Sequence, residues 1–269
     1  MLARSLPVRY TPFVVWSFLL ALGGCDRLML AGELINGYGD TTVVQGLYLG
    51  AEIPDGIEIP PASGIYTAIC KMFLAEVADP SAFDGAPLTG AELQFTSEST
   101  RLLDLDEDRE EPGKYVATSL EGLRYEDGDI AVVKFNADGQ EGEVRVKSPR
   151  TPDVDVPLNH TQQEDLRIQI NSDEFSNIVG AAYDLDRGNI TWDNFPDDVS
   201  SAYELNQDGV DDPVQVLVIP GDAFKRASRY VVAVGGLLLA DSDDFEGANT
   251  AISSFAAAKM SMHLVIVTQ

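Results

Sequence analysis

From residue 41 onward, apolar and polar positions alternate in short runs. Residues 42–53, 65–76, 91–96, 114–118, 130–135 and 143–147 are rich in β-branched and aromatic side chains and read as strands. A second series follows at 166–170, 188–192, 214–219, 229–235 and 263–268. Turn residues separate the runs: Pro54-Asp55-Gly56, Pro112-Gly113 and Asp127-Gly128. Asp138-Gly139 sits between two alternating runs, and both residues adopt positive φ cheaply, which predicts a hairpin. No amphipathic helix of 10–15 residues intervenes, so the pattern predicts an all-β chain of antiparallel sandwiches rather than a βαβ sheet. Residues 249–259, rich in alanine, depart from it and read as a short helix before the last strand.

Pro149, Pro152 and Pro157 crowd one ten-residue stretch. Proline removes backbone donors and favours extended chain, so a stiff linker is expected at 151–157. It would divide a first domain, 41–150, from a second, 158–269. In the first, a strand carrying Tyr115, the turn at 125–129 and a hairpin ending near Pro149 resemble the later strands of bacterial immunoglobulin-like domains. In the second, Ile190-Thr191-Trp192 and the Tyr230 strand after Pro220-Gly221 resemble fibronectin type III domains. That resemblance implies Trp192 and Tyr230 as core anchors.

The N-terminus has a different pattern. Arg4 and Arg9 precede ten mostly apolar residues, 13–22, and then come Gly23, Gly24 and Cys25. A basic segment, a short apolar stretch and small residues describe a secretory signal peptide; the stretch is too short to span a bilayer, which takes about 20 residues. Leu22-Gly23-Gly24-Cys25 resembles the lipobox of bacterial lipoproteins. The resemblance implies cleavage of residues 1–24, acylation of Cys25 as the new N-terminus, and a tether over 25–40. It implies a cell-envelope location with the membrane as a partner through the N-terminal lipid. Asp26 resembles the inner-membrane retention signal of enterobacterial lipoproteins, a position other lineages read differently, so inner and outer membrane both stay open.

Removal of residues 1–24 takes two arginines and no acid, leaving 16 basic and 44 acidic residues and a net charge of −28. That charge excludes nucleic acid as a partner, since binding it requires a basic footprint. It serves solubility, or an affinity for divalent cations or a basic partner. With Cys25 acylated, Cys70 is the one thiol left and no intramolecular disulfide forms. Within its apolar run Cys70 reads as a small buried hydrophobe.

The chain carries no phosphate-binding glycine loop, no paired-histidine zinc motif and no nucleophile elbow. Its two histidines read as one surface group, His160, and one at the core edge, His263. The stretch 204–212 places oxygen-bearing side chains at its first, third, fifth and ninth positions, with glycine sixth. That spacing resembles the start of EF-hand and dockerin calcium loops. It implies Asn206, Asp208, Asp211 and Asp212 as ligands of a calcium ion bound at about 10⁻⁴–10⁻³ M. Glu204 in first place and Gln215 in twelfth depart from the motif, and an acidic hairpin turned by Asp208-Gly209 is the alternative. The expectation is a non-catalytic envelope protein, a structural spacer or a module for an envelope protein partner. The alternative is a calcium-assisted binder of carbohydrate or another ligand, or an enzyme with a loop-borne site.

Overall fold

The computed structural model describes residues 42–52, 66–77, 85–171, 175, 177–194, 214–250 and 253–269. Its strands are β1 (Thr42–Glu52), β2 (Ala68–Val77), β3 (Gly85–Pro87), β4 (Glu92–Thr96), β5 (Leu103–Glu107), β6 (Lys114–Thr118), β7 (Ile130–Ala137) and β8 (Gln140–Lys147). They continue with β9 (Asp153–Val154), β10 (Asn159–Thr161), β11 (Leu166–Asn171), β12 (Asn177–Asp184), β13 (Asn189–Asp193), β14 (Val214–Ile219), β15 (Ser228–Leu239), β16 (Phe245–Glu246) and β17 (Ser254–Thr268). Among the described residues the only helical turns are 3₁₀, at Gly221–Phe224 and Ser242–Asp244. The chain is all-β.

Fourteen strands form one sheet ordered β13-β12-β15-β17-β1-β2-β6-β5-β4-β7-β8-β16, with β10 beside β17 and β3 beside β2. β5 folds this sheet over itself: Leu103–Leu105 pair with β4, and Asp106 and Glu107 pair with β6. Alternation then points Leu93, Phe95, Val133, Phe135, Val144 and Val146 at Tyr48, Met72, Leu74 and Tyr115, and these make the first core. Tyr48 and Phe95 rings lie 4.9 Å apart across it. A separate three-stranded sheet, β14-β11-β9, covers the second core. There Leu166, Ile168, Ile170, Leu217 and Ile219 meet Tyr230, Val232, Val234, Val265 and Val267.

β17 joins the two. Over 256–267 it pairs antiparallel with β15, and over 254–261 it pairs parallel with β1. Phe255 and Ala257 enter the first core; Val265 and Val267 enter the second. Ala240, Phe245 and Ala248 also belong to the first core, so residues beyond the proline-rich stretch complete it. Within that stretch Asp153 and Val154 pair with β11 as an edge strand.

Three readings meet the structure directly. Asp138 and Gly139 have φ of 51° and 84° and turn β7 into β8, as their chemistry dictates. The helix expected over 249–259 is overturned: Ser254 to Lys259 is strand. Alanine has the highest helix propensity, but propensity is a weak preference that tertiary pairing overrides, and here Ala256 to Ala258 lie between two strands that hydrogen-bond to both edges of β17. Tyr230 is fully buried, whereas Trp192 is half-buried and packs at the margin of the second core. Its strand, β13, is the terminal strand of the sheet among the described residues.

Candidate functional site

Between the two groups of core residues, β17 turns polar. Strand alternation puts Lys259, Ser261 and His263 on the face that carries Phe255 and Val265. Lys259 is the one Lys, Arg, Asp or Glu in this fifteen-residue strand. Its register neighbours are both glycine, Gly50 on β1 and Gly236 on β15. A Cβ on Gly50 would come 2.4 Å from the Tyr125 ring, and one on Gly236 would come 1.9 Å from the ring of Phe175. The missing side chains leave room for the Tyr125 and Phe175 rings, one from each core.

The Lys259 side chain is 9% exposed, and its ammonium sits 4.9 Å from the Tyr125 ring centre. It faces Asp127 Oδ1 at 3.5 Å and Glu52 Oε1 at 3.6 Å. Those carboxylates, 37% and 56% exposed, keep their outer sides in water. Thr151 ties them to the proline-rich segment. Its backbone N–H donates to Asp127 at 3.0 Å, and its hydroxyl lies 2.8 Å from Glu52 and 3.2 Å from Asp127, donating to one at a time. Tyr125 reaches the same segment through a hydrogen bond from its hydroxyl to the Pro149 carbonyl, 3.0 Å. One cation thus gathers the end of β1, the turn after β6, the segment after β8 and the last strand.

The neighbouring groups are tuned by burial. Burial pushes the Tyr48 and Tyr125 phenols far above their ordinary range, helped by nearby negative charge. It lowers the His263 imidazole; the Asp155 and Glu52 carboxylates oppose that shift. Ser261 Oγ and His263 Nε2 are 2.9 Å apart. Lys259, Glu52 and Asp127 hold the segments around them together by charge attraction.

Other acids serve the backbone. Glu107 accepts from the N–H groups of Gly90 and Gly113, and Asp129 from Ser99. Buried Asp184 accepts from the N–H groups of Asp186 and Arg187 and from the Ser228 hydroxyl. Arg229, followed by Ser228, holds the Asp186 carboxyl below its usual range. Part of the large negative charge thus caps turns, a use that composition does not reveal.

The residues singled out from sequence fare differently. Cys25 and the proposed calcium ligands Asn206, Asp208, Asp211 and Asp212 lie outside the described residues. Cys70 is fully buried, and burial pushes its thiol far up. His160 lies near the Glu164 carbonyl, 2.9 Å away, and edge-on to Phe224. It is aligned with Val267, four residues along β17 from His263, so the two histidines do not form a pair. Among the described residues no three His, Cys, Asp or Glu side chains come together as a metal site. Sequence reasoning passed over Lys259 and its partners; the isolated charge inside an apolar run was the available signal. No protein-family model matches the chain, and no curated protein matches it.

Proposed function

We propose that the protein is a non-catalytic lipoprotein of a bacterial cell envelope, held to the membrane by acylated Cys25 and acting as a spacer or protein-interaction module. The observation that carries this reading is the N-terminal pattern: two arginines, ten mostly apolar residues, then Leu22-Gly23-Gly24-Cys25. Two or more acyl chains on one terminus anchor a protein stably, where a single chain does not. The use of buried Lys259 to bind segments together supports a scaffold role. The finer resemblance to immunoglobulin-like and fibronectin type III domains belongs to the same proposal.

Membrane fractionation with intact mass measurement tests it. Wild-type protein is expected in the membrane fraction, beginning at Cys25 with an acyl mass increment. Cys25→Ser is expected to be released, or to accumulate with residues 1–24 attached. Wild-type protein that retains residues 1–24 and carries no added mass refutes the anchor.

A further inference from the structure

The first described strand and the last run in the same direction. β1 and β17 pair from Gln45 with Ser254 to Glu52 with Ser261, eight consecutive residue pairs. Each is fixed on its other side, β1 by β2 and β17 by β15. The chain also comes back to the start of β1 just before β17, where the Asn249 N–H donates to the Thr42 carbonyl at 2.8 Å. The beginnings of the two strands therefore lie at one end of the ladder, and the end of β17 lies far beyond the other.

We propose that the β1–β17 ladder is a shear clamp, and that Lys259 is its cross-tie. The direction of loading rests on the lipid-anchor reading. An anchor ahead of β1 pulls that strand toward its N-terminal end. A load held at the far end of β17 pulls the opposite way. In a parallel pair the hydrogen bonds are evenly spaced along the strands, so this geometry strains all of them at once. Pulling the same strands apart from their common end would break them one after another. The Lys259 ammonium reaches across the ladder to Glu52 at the end of β1 and to Asp127 beyond it. Sliding of β1 against β17 must separate these charges and move Tyr125 off Gly50. An aliphatic residue at position 259 would leave the ladder without this tie.

Single-molecule pulling on the chain from residue 26 to 269, unlipidated, tests the clamp apart from the anchor. One arrangement places handles at residues 26 and 269. The other places them at residue 26 and a cysteine introduced by Thr250→Cys, with buried Cys70 unreactive. The expected result is a several-fold higher rupture force in the first arrangement at equal loading rate. Lys259→Met is expected to lower the force in the first arrangement and leave the second unchanged. Glu52→Gln, on the exposed side of the cluster, should do the same in part and serves if Lys259→Met does not fold. Equal forces in the two arrangements overturn the clamp. An unchanged first-arrangement force in whichever of the two variants folds overturns the cross-tie.

Discussion

Lys259→Met isolates the charge at the junction while keeping most of the stem's volume. The ammonium makes two ion pairs with partly exposed carboxylates and one contact with the Tyr125 face. Ion pairs with exposed partners contribute about 0.2–1 kcal/mol each, and a partly desolvated cation–π contact about 0.5–2 kcal/mol. Stranding a fully buried countercharge would cost about 3–5 kcal/mol, but Glu52 and Asp127 remain in contact with water, so that penalty does not apply. The methionine recovers part of the loss by burying its thioether. The net destabilisation should be about 1–2 kcal/mol. The chain supplies two natural reporters once residues 1–25 are absent. Trp192 is then the one tryptophan and touches the second core, while Cys70 is the one thiol and is buried in the first. Denaturant unfolding should be followed by tryptophan fluorescence and by thiol labelling on the same samples. In the wild type the two transitions should coincide. In Lys259→Met both should move to lower denaturant and separate, because β17 then couples the cores through fewer bonds. Coincident and unshifted transitions in the variant would refute this account of the junction.

Two further outcomes follow from the same region. Burial lowers the His263 pKa, so as pH falls the unfolded chain takes up the proton first; stability should hold above about pH 6.5 and fall below it. Chemical denaturation in steps from about pH 7 to 5 should show this slope, and His263→Gln should flatten it; an unchanged slope in that variant would remove His263 as its source. Tyr48→Phe deletes the hydrogen bond from the buried hydroxyl to the Arg124 carbonyl, 2.5 Å, with the ring packing retained. It should cost about 1 kcal/mol in thermal unfolding, with the Thr100 hydroxyl, 3.4 Å from the same carbonyl, limiting the loss.

Where one face of a strand is buried and the other is wet, the amino-acid order shows it. Leu93 and Phe95 on β4, Ala131, Val133 and Phe135 on β7, and Leu166, Ile168 and Ile170 on β11 are buried at every second position. Their period of two is readable without coordinates, as is the turn at Asp138-Gly139. β12 is not legible, because Ile178 is its one residue that is not buried, and the apolar stretch from Ile178 to Tyr183 lacks alternation. The start of β17 was misread for the same reason: Phe255 to Ala258 are buried on both faces, and alanine by itself leans to helix. A run of side chains encodes which faces are dry; it does not encode which distant strand lies alongside. The pairing of β1 with β17 joins residues some two hundred positions apart, and Glu52, Asp127, Thr151 and Lys259 meet only because that pairing brings them together. The sequence by itself therefore determined an acidic all-β chain with a lipoprotein-like start. Its tertiary structure decided that the first and last strands share one ladder and that a single buried lysine ties the segments around it, since long-range pairing depends on the packing of both cores at once.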